Sequence, residues 1–318
     1  MSHRPKIGIA LGGGSARGWA HVGVLQALSA RGIAPDFIAG CSMGAMVGAA
    51  FAAGRIKELE TWALALDWKR VVGLVDVGLR GGLFKGDRLL NLFHAQFVEC
   101  QFSELSVPFA AVATDLVTGQ EVWLREGNVS HAVRASCTVP GLFRPVLREG
   151  RYLVDGSVVN PVPVSLCRAM GAQVVIAVDV GSRRVGGPPQ DAELASKTKV
   201  RPPVFFDMAD ASPLSVIPPL PSIVATLLGA IDIMQECIGQ ARLVGEPPEV
   251  LLTPRFEQFG TFDYHRAAVA IAAGRHAVAQ MLPVIDEALG MFTAQPHPDG
   301  ANESKLTLTS SPGFAPSI

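Results

Sequence analysis

Gly40-Cys41-Ser42-Met43-Gly44 sets a serine between two glycines where an apolar run, Phe37-Ile38-Ala39, gives way to a stretch of small residues. A sharp turn from strand to helix pushes the central hydroxyl out of the backbone and crowds its neighbours, which glycine tolerates. The first amides of the helix then face the same space. That arrangement suits a nucleophile in acyl transfer. The uncharged run Ala45 to Gly54 fits a helix packed beneath a sheet, and a buried helix that Ser42 merely caps is the plainer alternative.

A second stretch, Leu11-Gly12-Gly13-Gly14-Ser15-Ala16-Arg17-Gly18, lies between the first apolar run and the first helical pattern. Successive glycines let backbone N–H groups approach a ligand closely, and a helix N-terminus adds partial positive charge, so the loop suits an anion. Gly12, Gly14 and Gly18 have a dinucleotide-type spacing, but that reading needs an acid at the end of the second strand, and Asp36 comes before it. No Lys-Ser/Thr pair closes a phosphate loop either. A tetrahedral oxyanion formed on Ser42, with the Gly13 and Gly14 amides as its donors, is the leading reading, and a plain tight turn is the other alternative. Arg17 steadies the loop, meets an anionic group of the substrate, or is a solvated arginine at a helix start.

A serine hydroxyl needs a group to take its proton, commonly an imidazole held by a carboxylate. His265 and His276 lie in the last helical pattern, His297 in the tail, and His21, His94 and His131 in earlier helical patterns, where packing or surface roles suit them better. The remaining constellation is Tyr152-Leu153-Val154-Asp155-Gly156-Ser157, followed by Asn160-Pro161-Val162-Pro163. Here an apolar strand delivers an aspartate into a glycine turn. An aspartate of ordinary pKa, about 3.9, is a weak base, and contact with the serine in a partly desolvated cleft is what would make it useful. An ordinary turn aspartate is the competing reading.

The elements that must position these residues follow from the pattern of apolar runs. Strands are expected near Lys6 to Leu11, Phe37 to Gly40, Phe109 to Thr114, Glu121 to Leu124, Val174 to Asp179 and Val250 to Thr253. Helices are expected over Ala16 to Arg31, Ser42 to Ala53, Gly86 to Val98, Val129 to Ser136, Val162 to Met170, Ser222 to Val244 and Tyr264 to Leu289. Strands alternating with helices predict an α/β fold, a three-layer α/β/α sandwich with a mainly parallel central sheet. The 318 residues are read as one domain over 1–292 with an irregular insertion or flap at 182–221, and a disordered tail over 293–318.

A formal net charge of -1 argues against nucleic acid as a partner. The five scattered cysteines suggest neither a disulfide framework nor a zinc site, and fit a reducing cytoplasm. The first apolar run is cut short by glycines and Arg17, unlike a secretory signal, and the prolines at 213, 218, 219 and 221 keep the apolar segment 211–231 from spanning a bilayer. That segment is read as core, subunit contact, lid or peripheral membrane contact.

Taken in order, Gly-Gly-Gly-x-x-Arg-Gly, Gly-x-Ser-x-Gly and Asp-Gly resemble the patatin-like phospholipase family. The chain looks like its bacterial members, which are similar to the catalytic domain of neuropathy target esterase. Ala113-Thr114-Asp115-Leu116 with Gly119, Ala135-Ser136-Cys137 through Val146, and Asp263-Tyr264 extend the match from Ile7 to Leu289. The resemblance implies a patatin-type sandwich with Ser42 as nucleophile and Asp155 as general base. It also implies Gly12, Gly13, Gly14, Arg17 and Gly18 as the oxyanion motif, Gly40 and Gly44 as the nucleophile elbow, and no metal or cofactor. The expected activity is hydrolysis of lipid or acyl esters through an acyl-serine. Two departures stand out: Ser15 where members often carry glycine, and Ser157 where alanine or glycine is commoner, its hydroxyl placed to bond Asp155 and lower its basicity. A histidine-dependent esterase or thioesterase for small soluble substrates, and a non-catalytic binding protein, are the alternatives.

Overall fold

Ile7–Leu11 carries no polar alternation, and it forms a strand buried along its whole length, as a strand covered on both faces must be. The computed structural model describes residues 4–73, 92–93, 95–181, 223–256 and 259–294. In chain order the strands are β1 Ile7–Leu11, β2 Phe37–Cys41, β3 Phe109–Asp115, β4 Glu121–Leu124, β5 Val146–Arg148, β6 Arg151–Asp155, β7 Val174–Val178 and β8 Val250–Leu252. The helices are α1 Ala20–Ala30, α2 Met43–Ala52, α3 Ile56–Leu64, α4 Trp68–Gly73, α5 Val129–Ser136, α6 Val164–Ala169, α7 Ile223–Gly245 and α8 Ala267–Ala294.

The strands make one mixed sheet in the order β5-β6-β3-β2-β1-β7-β8, with β4 also paired to β3. The β1, β2, β3, β7 and β8 pairings are parallel, whereas β4, β5 and β6 join antiparallel. Helices cover both faces, which is the expected three-layer α/β/α sandwich. Alternate strand residues sort into two layers. Ile7, Ile9, Leu11, Ile38 and Ile176 meet α1, α2, α5 and α8 on one face. On the other, Ala10, Ala39, Ala110 and Ala177 lie beneath α6, and these short side chains hold that layer close to the strands.

Helix α8 and α1 cross at glycines: a Cβ on Gly23 would meet Ile271 O, and one on Gly274 would meet Ala20 O. With the turn before it, α8 is long and apolar enough by composition to cross a membrane, a test that the core helix of a soluble fold also passes. It packs on α1 along one face, and 33% of its apolar window is buried.

The expected strands are all present within a residue or so. Three elements went unanticipated: α3, α4 and β5. The predicted helix over Ala16 to Arg31 opens with a 3-10 turn, Ser15–Trp19, whose first residue, Ser15, holds φ 50, outside the right-handed helical region. Of the predicted Gly86 to Val98 helix, residues 92–93 and 95–97 are helical. Helix α8 continues through Ala294, two residues into the expected tail. The expected flap at 182–221, the first part of the 211–231 segment, and the tail beyond residue 294 lie outside the described residues.

Candidate active site

Strand β2 ends at Cys41 and α2 begins at Met43, so the change of direction falls on Ser42 alone. Its backbone has φ 53 and ψ -122, a region that costs a residue with a side chain free energy and persists only when its surroundings enforce it. The surroundings are visible. Ser42 N–H donates to Ser136 Oγ at 2.9 Å, and Cys137 Sγ donates to Ser42 O at 3.2 Å, so the end of α5 clamps both sides of the strained peptide. On the other side a Cβ on Gly44 would meet Leu11 O, and one on Gly40 would meet the backbone of Ala45. The first turn of α2 is thus seated directly on the end of β1.

Asp155 reaches Ser42 through the edge of β3. Val112 pairs with Cys41 on one side and Trp123 on the other, while Ala113 pairs with Asp155 on one side and Val122 on the other. Since β4 occupies one edge of β3 throughout this stretch, β2 and β6 share the opposite edge and run toward each other. β2 stops level with Val112 and β6 stops level with Ala113. Ser42 and Asp155 meet in the gap, and Ser42 Oγ donates to Asp155 Oδ2 at 2.6 Å.

Both groups are nearly out of water, Ser42 at 9% exposure and Asp155 at 1%. Burial raises the Asp155 pKa above the ordinary carboxylate value, opposed by hydrogen bonds from the Ser42 hydroxyl, the Ser157 amide and hydroxyl, and the Cys41 thiol. The Ser157 N–H donates to Oδ1 at 2.8 Å, and its hydroxyl lies 3.2 Å from Cys41 Sγ. Asp155 is fixed at its backbone too, where its N–H donates to Thr138 O at 2.7 Å and its carbonyl accepts from Thr114 Oγ1 at 2.9 Å.

The glycine loop lies against this pair. The place of a Cβ on Gly13 falls on the Ser157 hydroxyl and 3.5 Å from Ser42 Cβ. Gly12 N–H donates to Val178 O and Gly13 N–H to Pro161 O, each at 2.9 Å. The Gly13 amide, expected to face an oxyanion, is therefore engaged by the Asn160-Pro161 loop. The Gly14 and Ser15 amides make no hydrogen bond to another described residue. Ser15 holds φ 50, where a glycine would be unstrained, and its hydroxyl lies 2.7 Å from Tyr264 Oη. Burial pushes the Tyr264 phenol up to about 12.

Arg17 is buried rather than solvated, and its guanidinium donates to Gly181 O at 3.3 Å, tying the loop to the end of β7. A Cβ on Gly18 would meet Met43, so the loop and the elbow pack without a gap. His21 lies fully buried beneath the loop with Nε2 2.8 Å from Gly12 O, and burial lowers its pKa to about 4. Asp36 sits at the opposite end of the sheet from the loop, where it accepts from Ile7 N–H and Arg4. His131, His265 and His276 are exposed, and none shares a hydrogen bond with Ser42 or Asp155. His94 and His297 lie outside the described residues. Among the described residues no group of three or more His, Cys, Asp or Glu side chains could hold a metal ion.

Sequence reasoning had no separate role for Ser136, Cys137, Thr138 and Tyr264. The only signal was their presence in stretches shared with the family, because clamps of this kind have no spacing of their own.

A model of the patatin-like phospholipase domain matches residues 9–168, half of the chain and all three motifs. An uncharacterized NTE family protein of Mycobacterium tuberculosis is 29% identical over 336 aligned positions, covering 90% of this chain and 93% of that protein. Human patatin-like phospholipase domain-containing protein 6 is 34% identical over 185 positions, 56% of this chain and 13% of that protein. The solved structure of the type III effector protein ExoU is similar at a TM-score of 0.41 and 12% identity, over 92% of this chain and 54% of that one.

Proposed function

Because the chain belongs to the patatin-like phospholipase family, we propose that it is a serine acyl hydrolase of lipid esters, of the phospholipase or lysophospholipase type, working through a Ser42–Asp155 dyad. The observation that carries this reading is the 2.6 Å contact between a strained, clamped hydroxyl and a buried carboxylate. Family membership supports the lipid-hydrolase class, and the contact supports the two-residue chemistry.

In this mechanism Ser42 Oγ attacks the ester carbonyl carbon as its proton passes to Asp155 Oδ2. The carbonyl π pair moves onto oxygen, and the resulting oxyanion faces the Gly14 and Ser15 amides at the start of the 3-10 turn. A donor so placed is worth about 3 kcal/mol in comparable sites. Collapse of the tetrahedral species breaks the bond to the alcohol portion, which leaves with the proton held on Asp155. The acyl chain remains as an ester on Ser42. Water then gives a proton to Asp155 and attacks the same carbon. Release of the fatty acid returns that proton to Ser42 Oγ and restores the original hydrogen bond.

Raised basicity suits Asp155 to this exchange, since a carboxylate of ordinary pKa accepts a proton from a hydroxyl poorly. Ser42→Ala and Asp155→Asn should each lower ester hydrolysis by about 10²–10⁴-fold or more while circular dichroism shows the fold retained. A fluorophosphonate probe should label the unaltered chain at Ser42, mapped by peptide mass. Full activity in either variant, or labelling at another serine, would overturn the dyad.

A further inference from the structure

We propose that Arg242, Glu121 and Asn160 are positioning residues for the acyl transfer, through which helix α7 braces the glycine loop and fixes its free amides; this rests on the lipid-ester reading above. Two carbonyls bracket those amides. Pro161 O takes the Gly13 N–H at 2.9 Å and Thr261 O takes the Ala16 N–H at 3.1 Å, so the Gly14 and Ser15 amides lie between two fixed points. Pro161 sits in a bend and Thr261 in a turn, so neither carbonyl is set by a strand or helix of its own. Helix α7 reaches both.

The Pro161 carbonyl is held through a charged network. Glu121, the first residue of β4, accepts from Arg242 Nη2 on Oε2 at 2.9 Å, and on Oε1 from Asn160 Nδ2 at 2.8 Å and Trp123 Nε1 at 2.6 Å. Arg242, in the last turn of α7, and Asn160 also share Ser165 Oγ, at 3.2 and 3.1 Å. Glu246 stands farther from the same guanidinium, at 4.0 Å. Asn160 is 1% exposed, and its own N–H donates to Gly156 O at 2.9 Å, which ties it to the turn that follows Asp155. From α7 to Gly13 the path therefore runs through Arg242, Glu121, Asn160 and Pro161, with a hydrogen bond of 2.8 or 2.9 Å at every non-covalent step. Hydrogen bonds between ionised groups are short and strong, and with the Glu121 side chain only 17% exposed they are weakly screened.

Packing seats α7 against the same loops. It lies on the 3-10 turn Gly156–Val158 next to Asp155, and Gly239 brings its backbone beside Pro161, where an added Cβ would stand 3.6 Å from Pro161 Cβ. Earlier in the helix, Asp232 Oδ2 accepts from Thr261 Oγ1 at 3.3 Å, the weaker of the two braces. Loss of the Arg242 guanidinium frees Glu121 and Asn160 to shift, and the Pro161 carbonyl moves with them from Gly13. The next amide, Gly14, then turns from the place of the oxyanion. A displacement of about 1 Å there slows the chemical step while ground-state binding is kept.

The test compares Arg242→Met, Glu121→Gln, Asp232→Ala and Asp232→Asn with the unaltered chain on a short-chain soluble ester, with two inhibitors, and by amide exchange read residue by residue in NMR spectra. One inhibitor is an alkyl trifluoromethyl ketone: Ser42 Oγ adds to its carbonyl carbon, the proton passes to Asp155, and the carbonyl π pair becomes an oxyanion facing the loop. The other is an alkyl ether of the same length, which has no carbonyl. Arg242→Met should lower kcat about tenfold with KM within about twofold, weaken the ketone about tenfold and leave the ether unchanged. Its Gly13 amide should lose about tenfold in protection from exchange. Asp232→Ala should lower kcat about threefold and act on the Ala16 amide instead, and Asp232→Asn, which keeps an acceptor for Thr261, should restore both. Should Arg242→Met fail to fold, Glu121→Gln, which keeps one acceptor and removes the charge, carries the test with a kcat about threefold lower. An unchanged kcat, ketone and ether weakened alike, or unaltered Gly13 exchange would each overturn the proposal. An unaltered chain that hydrolyses no ester and binds no ketone, while Gly13 exchange still answers to Arg242→Met, would instead refute the enzymatic reading and leave the bracing of the loop standing.

Discussion

Asp155 holds its charge where charge is costly, and the residues around it set how costly. Burial raises its pKa, and the bonds from Ser42, Ser157 and Cys41 pull it partly back. In the proposed mechanism Asp155 must be ionised, so activity should fall as pH drops through its raised pKa. The acid limb of kcat/KM should therefore lie above the ordinary aspartate value of about 3.9. Ser157→Ala removes one group that favours the carboxylate, which raises the pKa further, so the limb should move to higher pH. A pH–rate profile on a soluble ester checks this, and a limb that stays in place would show that the hydroxyl spends itself on Cys41. At this scale the chain was informative. Ser42 and Asp155 were both legible as residues delivered by apolar strands into glycine turns, whereas the engagement of the Gly13 amide by Pro161 O was not, because it joins loops far apart in sequence.

Between elements, the Ser15–Tyr264 contact joins the glycine loop to the turn before α8. Ser15 at φ 50 bears a strain that glycine would not, and the 2.7 Å bond to the Tyr264 hydroxyl offsets it. If the Gly14 and Ser15 amides are the oxyanion donors of the proposed mechanism, Tyr264 positions them. Tyr264→Phe should lower kcat about tenfold with KM little changed, less than the 10²–10³-fold of deleting a donor. Ser15→Gly should restore the rate in that background, since glycine holds the loop without the hydroxyl; a merely structural tyrosine would give no such rescue. The strand positions were readable from continuous apolar runs. Helix α3 was readable in principle from Ile56, Leu59 and Ala63 at helical spacing, but it was missed beside the stronger α2 signal. Strand β5 was not readable, for three residues of mixed character become a strand only by pairing with β6.

For the molecule as a whole, the loop that serves the site also sets acid stability. His21 is buried beneath it as the neutral imidazole with a pKa of about 4, against about 6.5 in an unfolded chain. Between these values the unfolded state binds more protons, so stability falls as pH drops from about 6.5 to about 4, by about 3 kcal/mol in all. Urea unfolding at pH 7 and pH 4.5 should show that loss, and His21→Gln should flatten it. The sequence alone determined the layer architecture and singled out Ser42 and Asp155, because periodicity, glycine turns and apolar runs are local and need no partner to be seen. Tertiary structure decided that the hydroxyl and the carboxylate touch, since two strands must first converge along one edge of β3. It also decided which amides stay free. Those outcomes depend on pairings across more than a hundred residues, and nothing in the order of residues fixes them until the chain has closed on itself.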